Sequence, residues 1–193
     1  WPDWLPEGAR LYLNHVQGGW SIRALARARG CHASTVLRTV RSIEQRRDDP
    51  LIDEALSSLE TRGPAAAAAS PSASEREEPD MSAPIRTPLN GAVVDEAIIA
   101  REARRILRRL CESGALLAVA PELDKAAVLK GDVRTAVVER PVAQAFALKD
   151  WISVKTAGRI ALYEITQAGR AALKRLLDED GAQRTGLAEA RMR

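Results

Sequence analysis

No lysine occurs before Lys125 in this chain of 193 residues, so the positive charge of the first half is carried by arginine. Histidine and cysteine are nearly as scarce. His15 and His32 stand alone, and Cys31 and Cys111 lie far apart without a second ligand at metal-binding spacing, which argues against a structural zinc site and predicts two reduced packing thiols. Aromatic residues make up 4% of the chain, with a single phenylalanine, so the expected cores are small. No apolar run approaches the length of a membrane span, and the first residues carry no signal-peptide pattern, giving the expectation of a cytoplasmic, nucleoid-associated protein without membrane contact. There is no phosphate-binding glycine loop and no serine or tyrosine nucleophile with a base beside it. The chain is therefore expected not to be an enzyme, with no cofactor, metal or small-molecule substrate. Beginning at Trp1, it reads as a trimmed or renumbered fragment.

What is present is concentrated in Ser21 to Arg47, SIRALARARGCHASTVLRTVRSIEQRR. Ala26 is small enough for two helices to approach, Gly30 four residues later suits the left-handed end of a first helix, and Val36 fills the angle between that helix and a second. Ser34 or Thr35 is expected to cap the second helix. At about 100° per residue, Val36, Leu37, Val40 and Ile43 share one side of it, and Ser34, Thr35, Arg38, Arg41, Ser42 and Gln45 share the other. This spacing predicts a helix-turn-helix whose second helix offers hydrogen-bonding groups to base edges in a major groove. Seven arginines stand against one acid, Glu44, a net +6 that favours phosphate contact. Arg23, Arg27, Arg29, His32 and Arg46 are the expected phosphate contacts.

Before this stretch, Glu7 to Val16 is expected to form a supporting helix, with Trp1, Trp4 and Trp20 filling the small core. After it, Asp48-Asp49-Pro50 ends the recognition helix, and Leu51 to Leu59 reads as a short amphipathic helix packing back on the bundle.

Composition then changes. Gly63 to Asn90 holds five prolines, five consecutive alanines and the acidic patch Glu75, Glu77, Glu78 and Asp80, the signature of a flexible linker. Beyond it a helix is expected over about Val94 to Glu112, strands over Leu116 to Ala120 and Ala126 to Leu129, and either state over Val133 to Val138. Pro141 opens a helix to about Lys149. Trp151 to Val154 and Ile160 to Ile165 then read as two strands about a glycine turn, and Thr166 caps a final helix, Gln167 to Leu177. Helix, basic-tipped hairpin, helix is the order of a winged helix. Arg140, Gln144, Lys149, Lys155 and Arg159 are its expected contacts to DNA or a partner, although the Ala143 to Leu148 face suits protein at least as well as bases.

The fold class expected is mainly α: a helix-turn-helix bundle over 1–62, a flexible linker over 63–90, a winged-helix-like α+β domain over 91–180 and a polar, frayed tail over 181–193. WPDWLPEGARLYL followed by SIRALARARGCHASTVLRTVRSIEQRRDDPL resembles the N-terminal part of a family of alphaproteobacterial helix-turn-helix regulators, which includes the transcription activator of gene transfer agent clusters. The resemblance extends over both domains and is most specific from Ser34 to Leu51. It implies promoter-specific activation of phage-derived genes on double-stranded DNA, beside a bending protein such as integration host factor or another companion transcription factor. Family members are often longer, with a C-terminal region that engages RNA polymerase, so the chain reads as a fragment or as half of a split pair. The alternative reading is an RNA polymerase-associated adaptor or anti-termination factor acting through protein contacts.

Overall fold

The computed structural model describes residues 1–63 and 94–190, the last nine as backbone alone. The architecture is α+β, with helices before, within and after a five-stranded antiparallel sheet. Residues 64–90 of the expected linker lie outside the described residues.

The N-terminal segment is helical. Helix α1 (Glu7–Val16) follows a leader held by Arg10, whose guanidinium donates to the carbonyls of Pro2, Asp3 and Leu5. Helix α2 (Ile22–Arg29) is capped by Ser21, whose Oγ accepts from the Ala24 amide at 3.2 Å. Gly30, at φ 63° and ψ 31°, ends it in the left-handed conformation, and the Cys31 amide returns to the Ala26 carbonyl at 3.0 Å. Helix α3 (Ala33–Gln45) starts earlier than expected: extended His32 occupies the cap position without a side-chain cap, leaving Ser34 and Thr35 exposed in the first turn. Asp49 caps helix α4 (Pro50–Arg62), accepting from the Leu51 amide at 3.0 Å, with Pro50 as the first helical residue.

Val36, Val40 and Ile43 of α3 are buried as their periodicity predicts, whereas Leu37 stays 37% exposed. The tryptophans part company. Trp1 is partly buried and donates its indole N–H to Asn14 at 2.6 Å, and Trp4 packs against the core, but Trp20 is 52% exposed. Trp20 is held by its backbone instead, its amide reaching the Asn14 carbonyl and its carbonyl accepting from His15 Nδ1, so its ring does not fill the core. Cys31 and Cys111 are both exposed and are not packing residues.

The second segment opens with α5 (Glu96–Leu110) and continues through β1 (Ala115–Val119), β2 (Lys125–Lys130), β3 (Val133–Glu139), α6 (Arg140–Leu148), β4 (Ile152–Thr156), β5 (Ala161–Ile165) and α7 (Gln167–Ala190). The ambiguous 133–138 stretch is a strand, and the expected tail is helical as far as Ala190. Strand order is β3-β2-β1-β5-β4. One face, carrying Leu117, Val128 and Tyr163, is buried on the side packed by α5 and α6. Gly169 sits so close to the Trp151 carbonyl that a Cβ there would collide with backbone, which admits α7 against the start of β4.

Helix α6 overturns an expectation. Val142, Ala143, Ala145, Phe146, Ala147 and Leu148 are all buried, packed against α4, α5 and the sheet. A small-residue helix with so few polar groups lets neighbours close on it from several sides, so it has no apolar face to offer a partner and no face for bases.

The two segments meet through hydrogen bonds as well as apolar contact. Tyr163 donates its hydroxyl to Asp49 at 2.6 Å, both groups being buried. Arg140 makes a bidentate pair with Glu54 at 2.7 and 2.6 Å, and Gln144 donates to the same carboxylate at 3.2 Å. Burial first, then the bond to Asp49, pushes the Tyr163 phenol well above its ordinary 10.0. A group raised in this way lends stability that is intact below about pH 10 and lost as pH climbs above it. Tyr163→Phe is expected to cost about 1–2 kcal/mol at neutral pH, and the gap between variant and parent should narrow above pH 10, as followed by urea melts across pH 7–11.

Candidate nucleic-acid interface

The six side chains expected to read bases, Ser34, Thr35, Arg38, Arg41, Ser42 and Gln45, are all exposed along α3. They share a face because Val36, Val40 and Ile43 occupy the opposite, buried one. No ion pair is made by Arg38 or Arg41 among the described residues, and the same holds for Arg23 and Arg27 on α2. Arg23, Arg27, His32 and Cys31 line a shallow groove of about 620 Å³ where α2 meets the start of α3. A second hollow, of about 400 Å³, lies beside Arg38, Ser42, Arg46 and Asp150.

Three arginines of the same stretch are engaged elsewhere. Arg29 pairs with Glu7 of α1. Arg46, expected on phosphate, instead donates to the Ala147 carbonyl at 2.7 Å and pairs with Asp150 at 2.7 Å, tying the end of α3 to the end of α6. Asp150 holds its left-handed backbone at φ 59°, a conformation aspartate tolerates better than most residues. Arg47 is enclosed by Asp53 at 2.7 Å, Tyr12 at 2.8 Å, Ser57 at 3.0 Å and Glu60 at 3.1 Å. The Asp53 hydrogen bond, despite opposing desolvation, holds its guanidinium more firmly protonated than usual. The exposed charge of the motif is thus carried by Arg23, Arg27, Arg38 and Arg41 against Glu44.

The contacts expected from the second segment fare differently. Arg140 and Gln144 are spent on Glu54, and Lys149 pairs with Glu96 at 3.0 Å while lying 5.2 Å over the Trp151 ring. These three hold the fold together, because α6 is buried and its few polar groups need partners there. Lys155 and Arg159 remain at the exposed β4–β5 hairpin, in open pairs with Glu164 at 3.3 Å and Glu122 at 3.5 Å. Pairs so exposed contribute little and exchange readily. The base of that hairpin follows directly on Asp150, and so stands beside the end of α3.

Sequence reasoning missed the joint residues Asp49 and Tyr163. The first had a signal, since aspartate before proline is the pattern of a cap and first helical residue; a partner 114 positions away had none. Among the described residues no group of acids, histidines and cysteines is placed to hold a metal ion, and no helix is long and apolar enough to cross a membrane.

No protein-family model matches this chain, and no curated protein or solved structure matches it.

Arg46→Ala is expected to destabilise the protein by about 1–3 kcal/mol, because it removes charge-assisted hydrogen bonds across the joint. Arg23→Ala and Arg41→Ala should stay within about 0.5 kcal/mol of the parent. Chemical denaturation of the three variants checks this division between structural and available arginines.

Proposed function

We propose that the chain is a sequence-specific DNA-binding transcription activator, with α2, the Gly30 turn and α3 acting as a helix-turn-helix. The observation that carries the reading is the exposed set Arg23, Arg27, Arg38 and Arg41, which makes no ion pair among the described residues, set beside Ser34, Thr35, Ser42 and Gln45 while neighbouring arginines are neutralised. Arginines left without carboxylates are ready for phosphates and for the bidentate acceptor edge of guanine. Ser34, Thr35, Arg38, Arg41, Ser42 and Gln45 read bases in the major groove, and Arg23, Arg27 and His32 hold the backbone beside the start of α3.

In this reading the second segment is winged-helix-like in order, with α6 followed by the β4–β5 hairpin, but its helix serves as a buttress. The hairpin supplies Lys155 and Arg159 to the flanking backbone or minor groove, next to the groove that α3 occupies. Phage-derived genes of the gene-transfer-agent kind, transcribed in the nucleoid with RNA polymerase or a companion factor, are the proposed setting, and they rest on the resemblance of the motif. The adaptor reading loses its main surface, since the Ala143 to Leu148 face is buried.

Selection from random double-stranded DNA followed by sequencing tests the proposal. One enriched motif is expected. Arg38→Ala should lose about 1–3 kcal/mol on that motif and relax one position, whereas Arg27→Ala should weaken all sequences alike and reduce the salt slope by about one. Equal losses on selected and random DNA for Arg38→Ala would remove it as a base reader. No enrichment at any salt concentration would overturn DNA recognition as the function.

A further inference from the structure

Antiparallel pairing places partnered residues on the same face of a sheet, and here it separates two faces of unlike fate. Leu117 pairs with Val128 and with Tyr163, and all three are buried. On the opposite face Leu116 pairs with Leu129, Ala118 with Ala127 and Leu162, and Ala127 with Val137. All six of these outward side chains are apolar, and all six are partly exposed although most stand on interior strands. A sheet face turned to water ordinarily alternates to polar residues. This one keeps an apolar centre, which marks it for contact with something.

We propose that this outer face is a homotypic interface, on which a second copy of the chain packs about a two-fold axis. The rim supplies the argument for a copy rather than a charged partner. At one side lies the Lys125–Glu139 pair at 3.1 Å, at the other the Lys155–Glu164 pair at 3.3 Å. Each side therefore offers both signs, and a two-fold sets acids and bases of one copy against bases and acids of the other. With exposed Arg134, which stands opposite Leu129, the face carries three bases against two acids, close enough to balance to offer little field to a strongly charged protein, and self-complementarity is what an isologous contact requires. Size sets the strength. Five short strands at ordinary spacing present about 400 Å² per copy, roughly half the contribution of each partner to a stable complex. The association is accordingly weak and reversible, forming at high micromolar concentration. Under the DNA-binding reading, on which this consequence alone rests, the target would carry two half-sites.

Sedimentation velocity of the full chain without DNA, between about 5 and 500 µM, tests the interface by mass action, independently of any DNA result. A monomer–dimer equilibrium is expected. Ala127→Glu, which removes no apolar volume, should weaken it at least tenfold while the thermal melt stays that of the parent. Leu129→Asn serves as a second variant should the first fold poorly, with the same expectation. A strict monomer up to 500 µM would overturn the proposal and leave the face to a different protein. A dimer that both variants leave unchanged would overturn it equally, by placing the contact elsewhere.

Discussion

The structure depends on one buried carboxylate. Asp49 caps α4 by accepting from the Leu51 amide and accepts the Tyr163 hydroxyl with the same oxygen. An acid at that depth is costly unless its lone pairs are filled. The cap alone leaves it under-satisfied; the tyrosine from β5 brings a second donor to the same oxygen. The local rule that begins a helix is thereby coupled to a long-range contact, and the arrangement of the two segments follows from satisfying a single side chain. Glu54, one turn along α4, extends the same logic by gathering Arg140 and Gln144.

That joint determines which arginines remain available. Composition counts seven in the motif as equivalent, but the fold sorts them by what lies within reach. Arg46 and Arg47 leave α3 at the point where the chain turns into α4, so they meet carbonyls and carboxylates of α4 and α6. Arg23, Arg27, Arg38 and Arg41 project where no described carboxylate pairs with them.

The N-terminal helices were legible because each carries its own local signal. Ser21 and Gly30 bound α2, the 3.6-residue period of Val36, Val40 and Ile43 orients α3, and proline starts α4. The strands and the hairpin of the second segment were legible in outline for similar reasons. What the sequence concealed was burial on several sides. An alanine-rich helix such as α6 has no sharp polar boundary, so periodicity cannot say whether one face or every face is covered. Its Arg140, Gln144 and Lys149 looked like contacts for a ligand when their partners lay 86, 90 and 53 residues away. Trp20 is the opposite case: its type alone places a large aromatic in the core, while the glycine turn before it and its backbone bonds to α1 hold it outside.

These two failures share a cause that bears on the proposed interface. A side chain's destination is set by which neighbours arrive, and for α3 they arrive on one face and at one end. Arg46 and Arg47 pin its last turn, α1 and α2 cover its buried stripe, and its outward face is left open. A helix fixed on those sides loses little further freedom when its open face meets a surface. The ordering cost that reduces affinity for flexible segments is then largely met during folding. If the α6 end were released from Arg46, the outward face of α3 would keep every residue it has and lose the fixed direction in which they point.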